Sequence, residues 1–346
     1  MRLVKSHARM YYQGRGFLFS AINLIRKMKK LIGGLMLLIV GLVGCKEDDP
    51  QPKSISDVLL DQQDLTILRA AISHAGLQDA FKTSSVTLFA PNDEGFKASG
   101  YADAGAITSL PPEQVRALIT NHVITSPLPV ESMPFGLSNP VKMMSNARLF
   151  LSNPDGTPYL NHGKSVKSNI LANNGVIHII NRVIPIPTQS LAQIIKNTPD
   201  FSLFRQATRR AIAGDPRLAT FYADTLGSFP VDPAYTMFLP TNQAMIAGKF
   251  SQAEINATSP IVLARIVSYH IMLSRLFSSF MGNSTVNMFD ASYTATLASK
   301  STGLTIAGRS NPTQPANITK TDITATNGLI HVIDKVLIPW GGNVNL

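Results

Sequence analysis

Four histidines, His122, His178, His270 and His331, are the residues of this chain whose type and spacing most invite a chemical reading. They fall into two pairs, each with one histidine in a helix-like stretch and one in a strand-like stretch. Imidazoles paired in this way are candidates for metal ligation or proton transfer. Neither pair has the i,i+4 or short-loop spacing of a metal motif, however, and no carboxylate recurs beside it. Each lies on an apolar stripe or inside an apolar run, which is the setting of a buried imidazole satisfied by hydrogen bonds. Other constellations fail sooner. Cys45 is the single cysteine, which excludes thiol catalysis and cysteine zinc sites. Gly163-Lys164-Ser165 ends like a phosphate-binding loop, but Pro158 stands where that loop needs its first glycine. No GxSxG or HExxH occurs. These residues point away from an enzyme and imply neither a metal nor a cofactor.

The elements that must position the histidines are written twice. Residues 167–185 read KSNILANNGVIHIINRVIP, and residues 320–339 read KTDITATNGLIHVIDKVLIP. A shift of 153 positions superposes Asn174-Gly175 on Asn327-Gly328 and His178 on His331. In each copy an Asn-Gly pair separates two runs rich in β-branched residues, which predicts a β-hairpin with a type I′ turn and positive φ at Gly175 and Gly328. The second strand, residues 176–184, is apolar on both faces and belongs inside a sandwich or wedge. A repeat of this quality means two copies of one domain.

Further landmarks recur in order. Residues 64–75 have the spacing of an amphipathic helix, and residues 200–211 repeat it. VTLFAP at 86–91 reads as a strand, answered by YTMFLPTN at 235–242. The growing offset between landmarks places an insertion at 213–234, whose Gly, Asp and Pro content predicts a surface loop. Pro111-Pro112 opens a helix expected to run to Ile124 with His122 on its apolar stripe; residues 261–272 carry the same stripe with His270. Ser251 and Glu254 form a capping box just before this second helix. Asn153-Pro154-Asp155-Gly156 marks a further hairpin turn. No Gly/Ser spacer follows Pro185-Ile186-Pro187, so the two copies are expected to hold a fixed relation.

The strand ending in Phe-x-Pro with its capping Asx, the Tyr269-His270 pair and the closing Asn-Gly strand together resemble the signatures of fasciclin domains. The resemblance spans residues 54–340. It implies an α+β fold of two tandem domains, each a β-wedge or sandwich flanked by short helices. It also implies partner-binding residues, because the family's Tyr-His motif and an Asp-Ile pair before the last strand have been linked to cell-receptor binding. The matching residues here are Tyr269, His270, Asp322 and Ile323. Domain one departs from the pattern, with Asn121-His122 and Asn169-Ile170. Tyr269 is one residue, about 100° of helix, from His270, which predicts a ring at the edge of the buried stripe, within reach of a partner.

The net charge of +10 misleads. The first 44 residues hold eight Lys or Arg and no acid, and without them 23 basic residues face 21 acidic ones, so the basic balance implies no nucleic acid. Met28-Lys29-Lys30 followed by a 14-residue apolar run has the form of a signal peptide, too short for a comfortable membrane span. It ends in Leu42-Val43-Gly44-Cys45, which looks like a bacterial lipobox, and Met28 is a natural start. The layout expected is a signal peptide at 1–44, a lipidated tether at 45–53 beginning at Cys45, domains at 54–187 and 188–340, and a tail at 341–346. Asn256, Asn283 and Asn317 satisfy the glycosylation pattern, which a bacterial lipoprotein would not normally use. The function expected is that of a non-enzymatic envelope protein, anchored in the outer membrane through Cys45 on its periplasmic or its outer face, that mediates adhesion or binds an extracellular protein. The alternative is a carbohydrate-binding accessory of a surface uptake system, with a glycan as partner.

Overall fold

A computed structural model of the chain describes residues 53–222, 235–310 and 312–340. Cys45, Met28, the proposed leader, nearly all of the tether, the 223–234 part of the insertion and the 341–346 tail lie outside the described residues. The first half comprises α1 (Ile55–Asp61), α2 (Thr66–His74), α3 (Ala80–Thr83), β1 (Val86–Pro91), α4 (Asp93–Ala98), α5 (Ala104–Thr108), α6 (Pro112–Thr120), β2 (Val123–Ile124), β3 (Gly136–Lys142), β4 (Arg148–Asn153), β5 (Tyr159–Leu160), β6 (Gly163–Ala172) and β7 (Gly175–Ile180). The second comprises α7 (Leu191–Asn197), α8 (Ser202–Ala211), α9 (Ala219–Tyr222), β8 (Tyr235–Pro240), α10 (Asn242–Ala247), α11 (Gln252–Ala257), α12 (Pro260–Ser268), β9 (Ile271–Met272), β10 (Ser284–Asn287), β11 (Thr294–Lys300), β12 (Gly303–Ala307), β13 (Ala316–Ala325) and β14 (Gly328–Ile333).

Strand order is the same in both halves: β2-β1-β7-β6-β5-β4-β3 in the first and β9-β8-β14-β13-β12-β11-β10 in the second. The central pair, β1 with β7 and β8 with β14, is parallel, and the other pairings are antiparallel. These central strands are apolar on both faces because they divide two cores. Val86, Leu88, Ile177 and Ile179 face the helices, while Phe89, Ile180 and Ile184 face the β-layer around Leu149, Leu151 and Leu160. In the second half, Met237, Leu239, Ile330 and Val332 face the helices, and Phe238 and Ile333 the β-layer.

The hairpins are present, but the Asn-Gly pair does not form their turns. Ala172 pairs with Gly175 and Ala325 with Gly328, so the two-residue loops are Asn173-Asn174 and Thr326-Asn327. Gly175 has φ 153° and Gly328 has no positive φ, which corrects the type I′ expectation. The glycines serve close approach instead. A β-carbon on Gly175 would lie 1.9 Å from the Val86 carbonyl oxygen, and one on Gly328 would lie 2.5 Å from that of Tyr235. The asparagines anchor the first helix of each half: the Ile55 amide donates to Asn174 Oδ1 and the Leu191 amide to Asn327 Oδ1, both at 2.8 Å. Serine capping boxes at Ser54 and Ser190 open those same helices.

Several boundaries shift for identifiable reasons. The helices expected to reach Ile124 and Met272 end at Thr120 and Ser268, because the last two residues of each stretch pair with β1 or β8. The strand expected over 176–184 ends at Ile180. Ser251 and Glu254 cap α11, a separate helix, not the one carrying His270. The described part of the insertion is a turn of 3-10 helix followed by α9, with Leu218 buried in the helical core, so it is not simply a surface loop.

Candidate functional site

The four histidines form two kinds of backbone clamp, each repeated. His122 Nδ1 donates to the Leu118 carbonyl at 2.8 Å while its Nε2 accepts from the Ile184 amide at 2.8 Å. His270 does the same with Ile266 at 2.8 Å and Leu337 at 2.9 Å. Both rings are fully buried. One nitrogen must accept, so the ring must be neutral, and burial pushes both groups down to about 4 against the raising effect of the bond to the Leu118 or Ile266 carbonyl. His178 and His331 use the opposite tautomer. Nε2 donates to Leu128 or Leu276 at 3.0 Å, and Nδ1 accepts from the amide of Asn169 or Asp322. Burial lowers these two as well. Among the described residues no group of three or more His, Cys, Asp or Glu gathers where it could hold a metal ion.

Tyr269 corrects the sequence expectation. It caps α12 with 0% exposure instead of sitting at a wet edge. The reason lies in the β-layer, which the helix stripe does not reveal: Tyr269 packs with Phe238, Leu297 and Ile306 and edge-to-face against Tyr293. Its hydroxyl donates to the Thr294 carbonyl at 2.6 Å and accepts from the Arg309 amide at 3.1 Å, tying the helix end to β11 and the strand-connecting loop. Tyr269→Phe is therefore expected to lower stability by about 1–3 kcal/mol by stranding those two groups, and to leave partner binding unchanged. Urea melts and binding curves on the same samples check this; a binding loss without a stability loss would reverse it.

Asp322 and Ile323 sit where β13 bulges away from β14, and both are half-buried. Asp322 has φ 56°, as does its counterpart Asn169. That backbone turns each side chain toward the loop after β9 or β2. Asp322 Oδ1 accepts from the Ser278 amide at 2.9 Å and its other oxygen accepts from the Ser278 hydroxyl. Asn169 Oδ1 accepts from the Val130 amide at 2.9 Å. Ile323 packs against the helical core.

The segment held by Asp322 makes the contact between the two halves, which the described chain from Lys53 on joins in one compact unit. Phe277 and Leu329 pack with Phe150 of β4, and Phe280 meets Tyr159 edge-to-face at 4.8 Å. The Arg275 guanidinium lies 4.0 Å over the Phe150 ring, and Ser279 donates to the His162 carbonyl at 3.0 Å. Beside this contact opens a cleft of about 740 Å³, lined from the first half by Tyr101, His162 and Arg182 and from the second by Lys320, Asp322 and Ile323. Burial pushes the His162 imidazole down, and its Nδ1 is enclosed without a hydrogen-bond partner. Sequence reasoning brought Asp322 and Ile323 forward but missed Arg182, His162, Lys320 and the 275–281 contact segment. The apolar stretch LFSSFM after β9 was the one available signal, being too aromatic for a loop that merely connects.

The chain is 27% identical over 258 residues to human periostin, covering 74% of this chain and 28% of that protein. It is 26% identical over 268 residues to rabbit transforming growth factor-beta-induced protein ig-h3, covering 73% and 34% respectively. It thus spans about a third of the length of these curated relatives. Among solved structures, a FAS1 domain pair from the insect cell adhesion molecule fasciclin I covers 80% of this chain and 98% of its own, at 16% identity and a TM-score of 0.37. The fasciclin domain model matches residues 63–187 and again 202–339, so the chain belongs to the fasciclin family and carries two tandem domains.

Proposed function

We propose that this protein is a non-enzymatic, lipid-anchored envelope protein that binds an extracellular protein through its fasciclin pair, with the interdomain cleft as the contact face. The cleft carries the reading. It draws lining residues from both domains, so it exists only in the tandem pair, and the aromatic contact around Phe277 holds its walls in place. Leu110, Leu118, Val183 and Ile194 give it an apolar lining, while Arg182 and Lys320 are exposed at its walls. Apolar lining with a few polar groups suits a polypeptide segment. Tyr101 is the one Phe, Tyr or Trp among the lining residues, which leaves a sugar a single ring to stack on. The family's link between its Asp-Ile pair and receptor binding supports the same face.

Two experiments test this. Beads coated with the protein should adhere to cell surfaces above an albumin control, and Arg182→Glu with Lys320→Glu should weaken adhesion about tenfold without moving the melting temperature. Adhesion no better than albumin would sink the reading. Anchoring rests on the lipobox: Cys45→Ala should abolish incorporation of labelled fatty acid and block processing before residue 45. A mutant that is still labelled is not lipidated at Cys45.

A further inference from the structure

A second pocket, of about 480 Å³, lies between α8 and α11 in domain two, independent of the interdomain cleft. Arg205, Arg209 and Arg210 of α8 line it together with Gln206, Gln252 and Asn256, and no Asp or Glu among the described residues contributes. Acids close by in sequence are engaged elsewhere: Glu254 accepts from the Ser251 amide at 2.8 Å, and Asp200 accepts from the Asn242 amide at 3.2 Å. Arg209 is exposed, and neither it nor Arg210 has an ion-pair partner among the described residues. Arg210 spends one guanidinium nitrogen on the Thr258 carbonyl at 3.1 Å, while its Nε is buried and unpartnered. Gln206 donates to Asn256 at 2.9 Å, which bridges the two helices and fixes both amides at the pocket wall.

The duplicated fold supplies an internal control. Arg205 superposes on Arg69, and both do the same structural work: Arg205 donates to the Lys196 carbonyl at 3.0 Å and Arg69 to that of Leu60 at 3.0 Å, tying down the helix before. Arg210 stands where domain one has His74, and the two make the same bond, Arg210 to the Thr258 carbonyl and His74 to the matching Leu110 carbonyl at 2.9 Å, whereas Arg209 stands where domain one has only Ser73. The scaffold does not need Arg209. A guanidinium added at Arg209, beside the unpartnered Nε of Arg210 and three amides and with no acid lining the pocket among the described residues, makes a charged site that the fold alone does not explain.

We infer that this pocket is an oxyanion site for a sulfate or phosphate ester, carried by an acidic saccharide or by a lipid headgroup. Guanidinium forks match the paired oxygens of such groups, and the amides offer hydrogen bonds to neighbouring hydroxyls. The test uses the full-length protein in nonionic detergent, titrated with a heparin-derived hexasaccharide, its desulfated counterpart and glycerol 3-phosphate. The sulfated hexasaccharide or glycerol 3-phosphate should bind, and the desulfated sugar should not. Arg209→Glu should weaken binding about tenfold. Gln252→Glu, which places a carboxylate in the pocket without removing an arginine, should act likewise. Lys142→Glu, the same charge change on an exposed strand of domain one, should leave affinity within about twofold. Preference for the hexasaccharide assigns the saccharide source, and preference for glycerol 3-phosphate assigns the headgroup. Binding of neither probe, binding that survives both pocket variants, or equal loss with Lys142→Glu would overturn the site.

Discussion

Gly175→Ala is expected to destabilise the first domain by about 3 kcal/mol or more, and Gly328→Ala the second by less. The added carbon at Gly175 would sit 1.9 Å from the Val86 oxygen and 2.9 Å from Ile55 Cδ1. Neither neighbour can retreat cheaply. Val86 is the register partner of Gly175 in the parallel β1–β7 ladder, and its amide donates to the Asn174 carbonyl at 3.1 Å. Ile55 begins α1, docked by Asn174 itself. The φ of 153° adds strain for any side chain. At Gly328 the contact is 2.5 Å and the φ is not positive, hence the smaller effect. Hydrogen exchange of the β1 and β7 amides reads the first domain separately from the second. A loss below about 1 kcal/mol at Gly175 would mean that β1 and β7 can part without cost, which contradicts the packing.

Acid is expected to unfold both domains through the same device. His122 and His270 have folded-state values of about 4, below the ordinary 6.5. A depressed histidine favours the neutral ring in the folded state, so its contribution is complete above pH 6.5 and is lost as pH falls toward 4. That drop amounts to about 3 kcal/mol for each of these two histidines, and the lowered His178 and His331 act in the same direction. Protonation would put a hydrogen on the Nε2 that must accept from Ile184 or Leu337. Urea midpoints between pH 7 and pH 4 should therefore fall steeply. His270→Gln should be less stable at pH 7 and show a flatter pH dependence in domain two only. An unchanged slope in that variant would assign the acid sensitivity to other groups.

Much of the fold is legible in the sequence because it is carried by local periodicity and by repetition. β1 coincides with VTLFAP and β8 with the start of YTMFLPTN, since both are runs of residues that suit a doubly buried strand. Ser54, Ser190 and Ser251 each cap the helix they precede. The repeat of Asn, Gly and His at a 153-residue offset by itself implies two copies of one domain.

What the sequence leaves open depends on contacts distant along the chain. Asn-Gly reads as a turn because the local preference is strong, yet the glycine is demanded by a strand 89 positions earlier and the asparagine by a helix start 119 positions away. The apolar surroundings of His331 are written around it, but its tautomer is set by the Leu276 carbonyl, 55 positions back. Tyr269 falls at the edge of its own helix's apolar stripe, and only the β-layer of the same domain, closing over it from residues 293–309, decides that it is buried. The cleft and the arginine pocket belong wholly to tertiary structure. Neighbours along the chain determine which segments form strands and helices, whereas the surfaces available for binding are fixed by which of those segments meet.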